Sequence, residues 1–280
     1  MSRDGVRVPR LIYGTAWKKD QTAALVGEAL AMGFRGIDTA CQPKHYSEAG
    51  VGEGLSAALA AGLTRSEVYV QTKFTPLDAH DPAHIPYDPR SGLEQQVNES
   101  FAVSLQNLGT DYVDGLLLHA PLRCQDDTLE VWRAMETLAD DGRARQLGIS
   151  NLYRLDELED LWDKSRIKPA IVQNRFYVNT GYDREIRSFC RDRGVLYQAF
   201  WTLTANHAVL AHNSLQVLAA HYRRTPAQIF YRYLTQIDII PLIGATSAPH
   251  MHEDLAIFEF ELRESERHLI ADLLERHDGD

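Results

Sequence analysis

The feature that most constrains the fold of this chain is a regular alternation of strand-like and helix-like segments along its whole length. Eight short runs are rich in the β-branched and aromatic residues that favour strands. If these runs form one sheet they must pair in parallel, because each crossover carries a helix. The predicted strands are Arg10–Ala16, Phe34–Ala40, Val68–Phe74, Val113–His119, Arg145–Asn151, Ala170–Phe176, Val195–Phe200 and Asp238–Gly244.

The segments between these strands have the periodicity of helices that pack one face on a sheet. In Leu93–Gly109, for example, Val97, Phe101 and Leu105 recur at intervals of four residues. A closed barrel and an open doubly wound sheet both satisfy this order, and eight strands in 280 residues favour the barrel. We therefore predict an α/β protein with the (β/α)8 TIM barrel fold.

The chain shows no internal boundary. No linker, charge block or low-complexity stretch divides it, so we expect one domain over residues 1–280 with a C-terminal helix at Leu262–His277. Two segments fall outside the strand–helix period, Thr75–Gly92 with four prolines and Thr202–Asn213. Both follow the C-terminal end of a predicted strand, the face at which barrel enzymes carry their active sites.

The composition limits the classes of partner. The chain has 29 Lys and Arg against 39 Asp and Glu, and this net charge of −10 leaves no excess of cations to bind nucleic acid or an anionic membrane. No run approaches the ~18 apolar residues of a membrane span, and the N-terminus lacks the core of a signal peptide. Three distant cysteines suggest neither a disulfide framework nor a zinc finger. We expect a soluble, cytoplasmic monomer or dimer that acts on a small molecule.

Four polar residues lie where the carboxyl ends of the predicted strands would converge. Asp38, Lys73 and His119 lie at or near the ends of the second, third and fourth strands, and Tyr46 follows the second. A tyrosine hydroxyl with its ordinary pKa of ~10 donates a proton poorly at neutral pH. A neighbouring ammonium lowers that pKa, an aspartate holds the ammonium in place, and a neutral histidine can bind a carbonyl oxygen. Such a set is typical of a site that protonates a carbonyl.

Several motifs in one order make this interpretation more specific. FRGIDTA followed by a tyrosine, then QTKF, LLLHAP, LGISN, a strand ending in VQN, and QAFWTL resemble the motifs of the aldo-keto reductases from about Leu11 to Leu255. The resemblance implies reduction of an aldehyde or ketone, with a hydride passing from the nicotinamide to the carbonyl carbon. It implies NADP(H) as the preferred cofactor, with NAD(H) as the alternative, bound across the barrel mouth, and no metal.

The resemblance also assigns residues by position. The implied catalytic tetrad, with Tyr46 as general acid, is Asp38, Tyr46, Lys73 and His119. The implied carboxamide-binding residues are Ser150, Asn151 and Gln173, and Phe200 takes the place of the ring that stacks on the nicotinamide. The other residues expected to contact the cofactor, besides Asp38, are Gly14, Thr15, Trp201, Thr202, Leu203, Gly244, Thr246, Ser247, His250 and Asp254.

The identity of the acid has one alternative. Pro43 stands where the family has its tyrosine, and Tyr46 follows eight residues after Asp38, so this segment carries an insertion. Counting back from the following helix instead places His45 in the position of the acid. We favour Tyr46, because the reaction needs a weak acid tuned by Lys73.

The adenosine end of the cofactor site also departs from the family. The usual Lys-Ser pair for the 2′-phosphate is missing, and residues 242–245 stand there as LIGA. A helix beginning after Ser247 has free N–H groups that favour an anion, and the hydroxyls of Thr246 and Ser247 add donors. His250 falls where the family commonly has an arginine on this phosphate, although it can also be an exposed first-turn residue. As a phosphate ligand it predicts a pH-dependent preference for NADPH, because a histidine titrates near pH ~6.5.

The substrate site is expected between the two long loops. The prolines of Thr75–Gly92 stiffen a loop that is too long for a mere connector. This loop and Thr202–Asn213 are therefore expected to form the walls of an open site that favours aromatic or bulky carbonyl compounds. The residues expected to face the substrate are Trp17, Tyr46, Tyr87, His119 and Trp201.

Other interpretations differ in class. A nicotinamide-binding regulatory subunit would keep the barrel with little turnover, and a metal-dependent barrel hydrolase would use a pair such as His250 and His252. Gly50, Gly52 and Gly54 resemble a dinucleotide-binding loop. Their spacing and the lack of a preceding strand instead favour a helix N-terminus packed closely against the sheet.

Overall fold

The computed structural model describes residues 2 and 4–276, and within this part eight parallel strands close into a barrel. Each strand pairs with the next in sequence, and the last pairs with the first, with Ile12 opposite Leu242. The strands are β1 (Ile12–Gly14), β2 (Gly36–Asp38), β3 (Tyr69–Phe74), β4 (Gly115–Leu118), β5 (Leu147–Ser150), β6 (Ile171–Arg175), β7 (Leu196–Phe200) and β8 (Ile239–Ile243). The predicted (β/α)8 barrel is confirmed, and each strand lies within the segment predicted for it.

Helices follow the strands and cover the outside of the barrel. They are α1 (Thr22–Met32), α2 (Glu48–Ala60), α3 (Leu93–Leu108), α4 (Gln125–Asp140), α5 (Leu155–Lys164), α6 (Arg184–Arg193), α7 (His207–Ala211), α8 (Asn213–Tyr222), α9 (Pro226–Gln236), α10 (Ala248–Leu255) and α11 (Glu264–Arg276). In α3 the periodic residues Val97 and Phe101 are buried, as the amphipathic pattern predicts. Gly109 ends this helix with a φ of +63°, a left-handed conformation that glycine adopts without strain.

Two boundaries differ from the prediction. The segment Thr202–Asn213, predicted as a loop, contains α7, which is too short to show a helical period in the sequence. The C-terminal helix begins at Glu264 rather than Leu262, and its predicted last residue, His277, lies outside the described residues. The single domain over residues 1–280 likewise extends beyond them and stays a prediction.

The glycines at alternating positions lie inside α2, where they serve helix packing. A Cβ on Gly52 would lie 2.1 Å from the main-chain oxygen of Asn107, and one on Gly54 would lie 2.7 Å from that of Ala23. The predicted close packing is present, but its partners are α1 and the C-terminal end of α3 rather than the sheet. A larger side chain at either glycine would push these helices apart.

The largest hydrophobic core lies between the barrel and its helices. Trp132 of α4 is fully buried there and donates its ring N–H to the main-chain oxygen of Ile167 at 3.0 Å. The interior of the barrel is different, because several polar side chains of β3, β6 and β7 are buried in it. Among the described residues, no helix combines the length and the apolar character needed to cross a membrane.

Candidate active site

A cavity of about 750 Å³ opens at the carboxyl ends of the barrel strands. Most of the residues predicted to bind cofactor or substrate line it: Gly14, Trp17, Asp38, Tyr46, His119, Ser150, Asn151, Gln173, Phe200, Trp201, Thr202, Leu203, Gly244, His250 and Asp254. Barrel enzymes use this face because the ends of several strands converge there. The fold therefore brings residues that are distant in sequence to one mouth.

Three predicted cofactor residues lie outside the lining. Thr15 is buried, and its hydroxyl donates to the main-chain oxygen of Asp38 at 2.9 Å. Thr15 therefore holds the end of β2 instead of facing a ligand. Thr246 and Ser247 precede α10 without lining the cavity, and the side chain of Ser247 makes no capping hydrogen bond to that helix.

Tyr87 and its loop, predicted to form a substrate wall, do not line the cavity. Tyr87 is only 6% exposed, its hydroxyl donates to the main-chain oxygen of Thr75 at 2.9 Å, and its ring packs on Phe74. The Nε2 of His80 lies 3.0 Å from the same oxygen. These contacts fold the segment back onto the end of β3. All of residues 75–92 are described, and none of them lines the cavity.

Asp38 and Lys73 form a buried ion pair at the end of β2 and β3. The ammonium donates to the two carboxylate oxygens at 2.7 and 2.8 Å and to the main-chain oxygen of Thr39 at 2.8 Å. Burial lowers the pKa of Lys73, and the neighbouring Asp38 opposes this effect. The pair therefore holds the ammonium of Lys73 behind the cavity, although removing this charge from water costs free energy.

Tyr46 lies over this pair without a hydrogen bond to it. Its ring centre is 5.2 Å from Nζ of Lys73 and 5.9 Å from the ring centre of His119. The sequence predicts that Lys73 lowers the pKa of Tyr46, but in this structure burial and the charge of Asp38 raise it. Burial is the larger of these two causes, and the ammonium of Lys73 donates its hydrogen bonds to Asp38 and Thr39 rather than to the phenol.

His119 follows β4, and its ring lies edge-on to that of Tyr46. Its Nδ1 lies 2.8 Å from the hydroxyl of Thr75. Burial and the nearby Lys73 charge hold the pKa of His119 well below its usual value, so the ring is neutral at neutral pH. When Thr75 donates to Nδ1, the proton of the ring resides on Nε2, which can then donate to a carbonyl oxygen.

His45, the alternative acid, occupies a different place. Its ring stacks on Trp17 with centres 4.0 Å apart, and its main-chain oxygen accepts a hydrogen bond from the N–H of Trp17 at 2.7 Å. Burial and the charge of Lys44 lower the pKa of His45. The inserted residues thus place His45 on the wall of the cavity and Tyr46 next to Lys73.

The predicted carboxamide-binding residues end β5 and lie on β6. Asn151 has a φ of +54° and donates its side-chain amide to the main-chain oxygen of His119 at 2.8 Å. The nitrogen of Gln173 donates to Asp38 and Gln198, each at 2.9 Å. The oxygen of Gln173 and the hydroxyl of Ser150 keep acceptor or donor capacity for a ligand, and so does Oδ1 of Asn151, which accepts one hydrogen bond from Tyr153.

The adenosine end of the predicted site holds acidic groups beside the histidine. The side chain of His250 is 70% exposed, and its Nδ1 lies 3.0 Å from a carboxylate oxygen of Glu253. Burial raises the pKa of the nearby Asp254 to about 7. A phosphate placed here would meet one histidine together with two carboxyl groups.

Sequence reasoning missed two cations in the lining. Arg175 ends β6, and its guanidinium carbon lies 4.0 Å from the ring centre of Trp201. Lys18 donates through Nζ to the main-chain oxygen of Gly244 and so joins the loop after β1 to the end of β8. Arg175 could have been predicted from the sequence, because it is a polar residue at the end of a strand, as Asp38 is.

A metal site was the other possibility raised by the sequence. In the part of the chain that the structure describes, no group of three or more His, Cys, Asp or Glu side chains is placed to hold a metal ion. His250 pairs with Glu253, and His252 does not line the cavity. The predicted hydrolase ligands therefore do not come together.

Comparison with known proteins agrees with this geometry. The model of the Aldo/keto reductase family matches residues 10–275. An uncharacterized oxidoreductase, YtbE of Bacillus subtilis, is 32% identical over 97% of this chain and 91% of its own length. Methylglyoxal reductase DkgA of Yersinia pestis is 30% identical over 94% of this chain and 88% of its own. The crystal structure of an aldo/keto reductase from Brucella melitensis superimposes with a TM-score of 0.81, at 29% identity and 97% coverage of both chains.

Proposed function

The chain belongs to the aldo/keto reductase family of NAD(P)-dependent oxidoreductases, and from that premise we propose that it reduces an aldehyde or ketone with NADPH, using Tyr46 as the proton donor. The reverse oxidation of an alcohol would use the same groups. The observation that carries the assignment of the acid is that Tyr46 shares the cavity with His119 while its ring lies 5.2 Å from the ammonium of Lys73. His45 has Lys44 rather than Lys73 as its neighbouring cation, and its ring packs against Trp17.

Each residue of the tetrad has a distinct task. When bound, NADPH supplies a hydride to the carbonyl carbon. Tyr46 holds a proton at Oη and gives it to the carbonyl oxygen, so that C=O becomes CH–OH and the side chain becomes a tyrosinate that solvent reprotonates. Neutral His119 orients the oxygen through Nε2–H, and the ammonium of Lys73 offsets the new negative charge.

The residues at the nicotinamide end fit a carboxamide. The hydroxyl of Ser150 can donate to the carboxamide oxygen, and the free oxygen of Gln173 can accept from the carboxamide nitrogen. The ring of Phe200 adds an apolar surface to the same part of the cavity. We assign these three residues to cofactor binding on that chemistry.

The substrate site is proposed to lie between two exposed tryptophans. Trp17 is 59% and Trp201 is 48% exposed, and both line the cavity. Exposed aromatic faces favour a flat or bulky apolar carbonyl compound. The relative named as a methylglyoxal reductase gives a small dicarbonyl as the second candidate class.

The test is NADPH consumption by the purified protein with an aromatic aldehyde, a bulky ketone and methylglyoxal. We expect turnover with the wild type and identification of the alcohol as product. Tyr46→Phe should bind NADPH with unchanged affinity and lose most of this turnover. NADPH binding without consumption of any carbonyl compound would instead favour a regulatory subunit.

A further inference from the structure

Three glutamine side chains lie inside the barrel at and below the floor of the active-site cavity, and we call them the glutamine cluster. Gln71 of β3, Gln173 of β6 and Gln198 of β7 are each no more than 2% exposed. Barrel interiors are filled mainly by bulky branched apolar residues. A buried amide is costly unless its donors and acceptors are paired, so the positions of these three amides need an explanation.

The cluster is hydrogen-bonded to itself and to Asp38. The nitrogen of Gln71 donates to Oδ1 of Asp38 at 2.6 Å and to the oxygen of Gln198 at 2.7 Å. The nitrogen of Gln198 donates back to the oxygen of Gln71 at 3.0 Å. The nitrogen of Gln173 donates to the same Oδ1 at 2.9 Å and to the oxygen of Gln198 at 2.9 Å.

The carboxylate sets the direction of every bond in the cluster. An ionised carboxylate only accepts, so Gln71 and Gln173 must both turn their nitrogens toward Asp38. The oxygen of Gln198 then accepts from both of them. The hydroxyl of Tyr69 donates to the oxygen of Gln71 at 2.9 Å, which completes the hydrogen bonds that this amide can make.

We propose that Gln71 and Gln198 are positioning residues for carbonyl reduction: they hold the carboxylate of Asp38 in the orientation that keeps the Lys73 ammonium beside Tyr46. Gln71 acts on Asp38 directly, and Gln198 acts by holding Gln71. Neither side chain lines the cavity, so neither is placed to touch substrate or cofactor. This inference rests on the proposed function of Tyr46 and Lys73.

Gln146 shows what a buried glutamine without this task looks like. It is 1% exposed and donates to the hydroxyl of Tyr69 at 2.9 Å, while its oxygen has no partner among the described residues. It makes no hydrogen bond to Asp38 or Lys73. Gln146 therefore reaches Asp38 only through Tyr69 and Gln71. It is a control that loses a buried amide in the same barrel while leaving every amide of the glutamine cluster in place.

The experiment compares Gln71→Met, Gln198→Met and Gln146→Met. Methionine keeps the length of the side chain and removes the amide. The measurements are kcat for carbonyl reduction from pH 6 to 10, the dissociation constant of NADPH, and the urea midpoint of each variant. The titratable groups around this set are the same in all of these proteins. Asp38 and Glu48 act on Lys73, and Asp38 acts on Tyr46. Tyr69 faces Asp38, and His45 and Lys73 act on His119.

In Gln71→Met we expect kcat to fall roughly tenfold at pH 7, the worth of one hydrogen bond to a charged group. The alkaline limb of the profile should move to lower pH by about one unit. The sign follows because Asp38 raises the pKa of Lys73, and a loosely held carboxylate raises it less. Gln198→Met should change the profile in the same direction by a smaller amount, and NADPH binding should stay unchanged in both.

Gln146→Met should lower the urea midpoint without moving the pH profile. If all three variants shift the profile equally, or if Gln71→Met and Gln198→Met leave it where the wild type has it, the glutamines are only structural and the proposal is wrong. Gln198→Met keeps both direct donors to Asp38, so it tests the idea even if Gln71→Met fails to fold. A wild type without turnover would point to a failure of the proposed function itself.

Discussion

Lys73 donates hydrogen bonds to both carboxylate oxygens of Asp38, at 2.7 and 2.8 Å, in a place where neither side chain is more than 3% exposed to solvent. The two residues come from adjacent strands, β2 and β3, which are paired in parallel. A buried pair of this kind stabilises little on balance, because both charges are removed from water. We therefore attribute this ion pair to function rather than to stability, because it holds the ammonium of Lys73 behind Tyr46.

The first prediction concerns this pair. Lys73→Met leaves the carboxylate of Asp38 buried without its cation and should lower the free energy of unfolding by about 3–5 kcal/mol. Adding Asp38→Asn removes that charge, so the double variant should regain stability while staying inactive. Urea unfolding and turnover measured on both variants check this. A double variant no more stable than Lys73→Met would show that the uncompensated charge is not the cause.

The second prediction separates the two candidates for the acid. Tyr46→Phe should cut turnover by about two to four orders of magnitude, the usual worth of a positioned general acid. His45→Ala removes a ring that stacks on Trp17 and should cost much less. The comparison requires kcat for both variants with one carbonyl substrate and fluorescence titration with NADPH. The reverse ranking would make His45 the acid.

The strand ends of this fold were predictable from local sequence alone. Asp38, Lys73 and His119 are polar residues after apolar runs, and a closed parallel barrel brings such positions to one face whatever the helices between them do. The resemblance to aldo-keto reductases then assigned their tasks. The insertion before Tyr46 left His45 as an alternative, because its placement depends on the loop geometry rather than on any periodic pattern.

The misassigned features depend on contacts between distant residues. Tyr87 was expected to face the substrate from a long loop, but its hydroxyl donates to the main-chain oxygen of Thr75 and its ring packs on Phe74. No pattern in the sequence of Thr75–Gly92 indicates that this loop folds back onto the end of β3. The glutamine cluster has a different origin: Gln71 and Gln198 lie within strands, and the sequence does not indicate which buried groups a glutamine there will contact.

The third prediction concerns the substrate wall. Trp17 lines the cavity and Tyr87 does not, so Trp17→Ala should change the ranking of aromatic against small carbonyl substrates while NADPH affinity changes little. His84→Ala, an exposed change in the loop that the structure places away from the cavity, should leave the ranking as it is. Values of kcat/KM for the same panel decide this. If both variants changed the ranking equally, the loop would have to be part of the substrate site.

The fourth prediction concerns Asp254. Burial raises the pKa of its carboxyl to about 7, so the folded protein keeps this proton through a range of pH in which the unfolded chain has lost it. The free energy of unfolding should therefore fall by about 4 kcal/mol as the pH rises from about 4 to 7, at ~1.4 kcal/mol per pKa unit. Asp254→Asn should remove this part of the slope.

Glu253→Gln is the control for that measurement. Glu253 is the neighbouring carboxylate, its side chain is 39% exposed, and its charge is the smallest cause acting on Asp254, so its removal should reduce the slope only slightly. Urea unfolding at pH 5 and pH 8 for the wild type and both variants gives the comparison. A wild-type stability with the same pH dependence as Asp254→Asn would contradict the assignment.

The last prediction concerns the choice between NADPH and NADH. His250 lines the cavity at the start of α10, where a helix N-terminus favours an anion, but Glu253 lies 3.0 Å from its ring and Asp254 lies nearby. A histidine gains its charge toward pH 6, and near pH 8.5 both carboxyl groups repel a phosphate. The preference for NADPH should therefore be moderate, larger near pH 6 and smaller near pH 8.5. His250→Arg should raise the preference and remove most of its pH dependence, because an arginine stays charged.

His252→Arg is the control for this variant. It makes the same change on the same helix outside the cavity, so it should alter neither the preference for NADPH nor its pH dependence. Dissociation constants of both cofactors, measured by fluorescence quenching at the two pH values, decide the question. A wild-type preference that stays flat with pH would mean that His250 does not contact the phosphate.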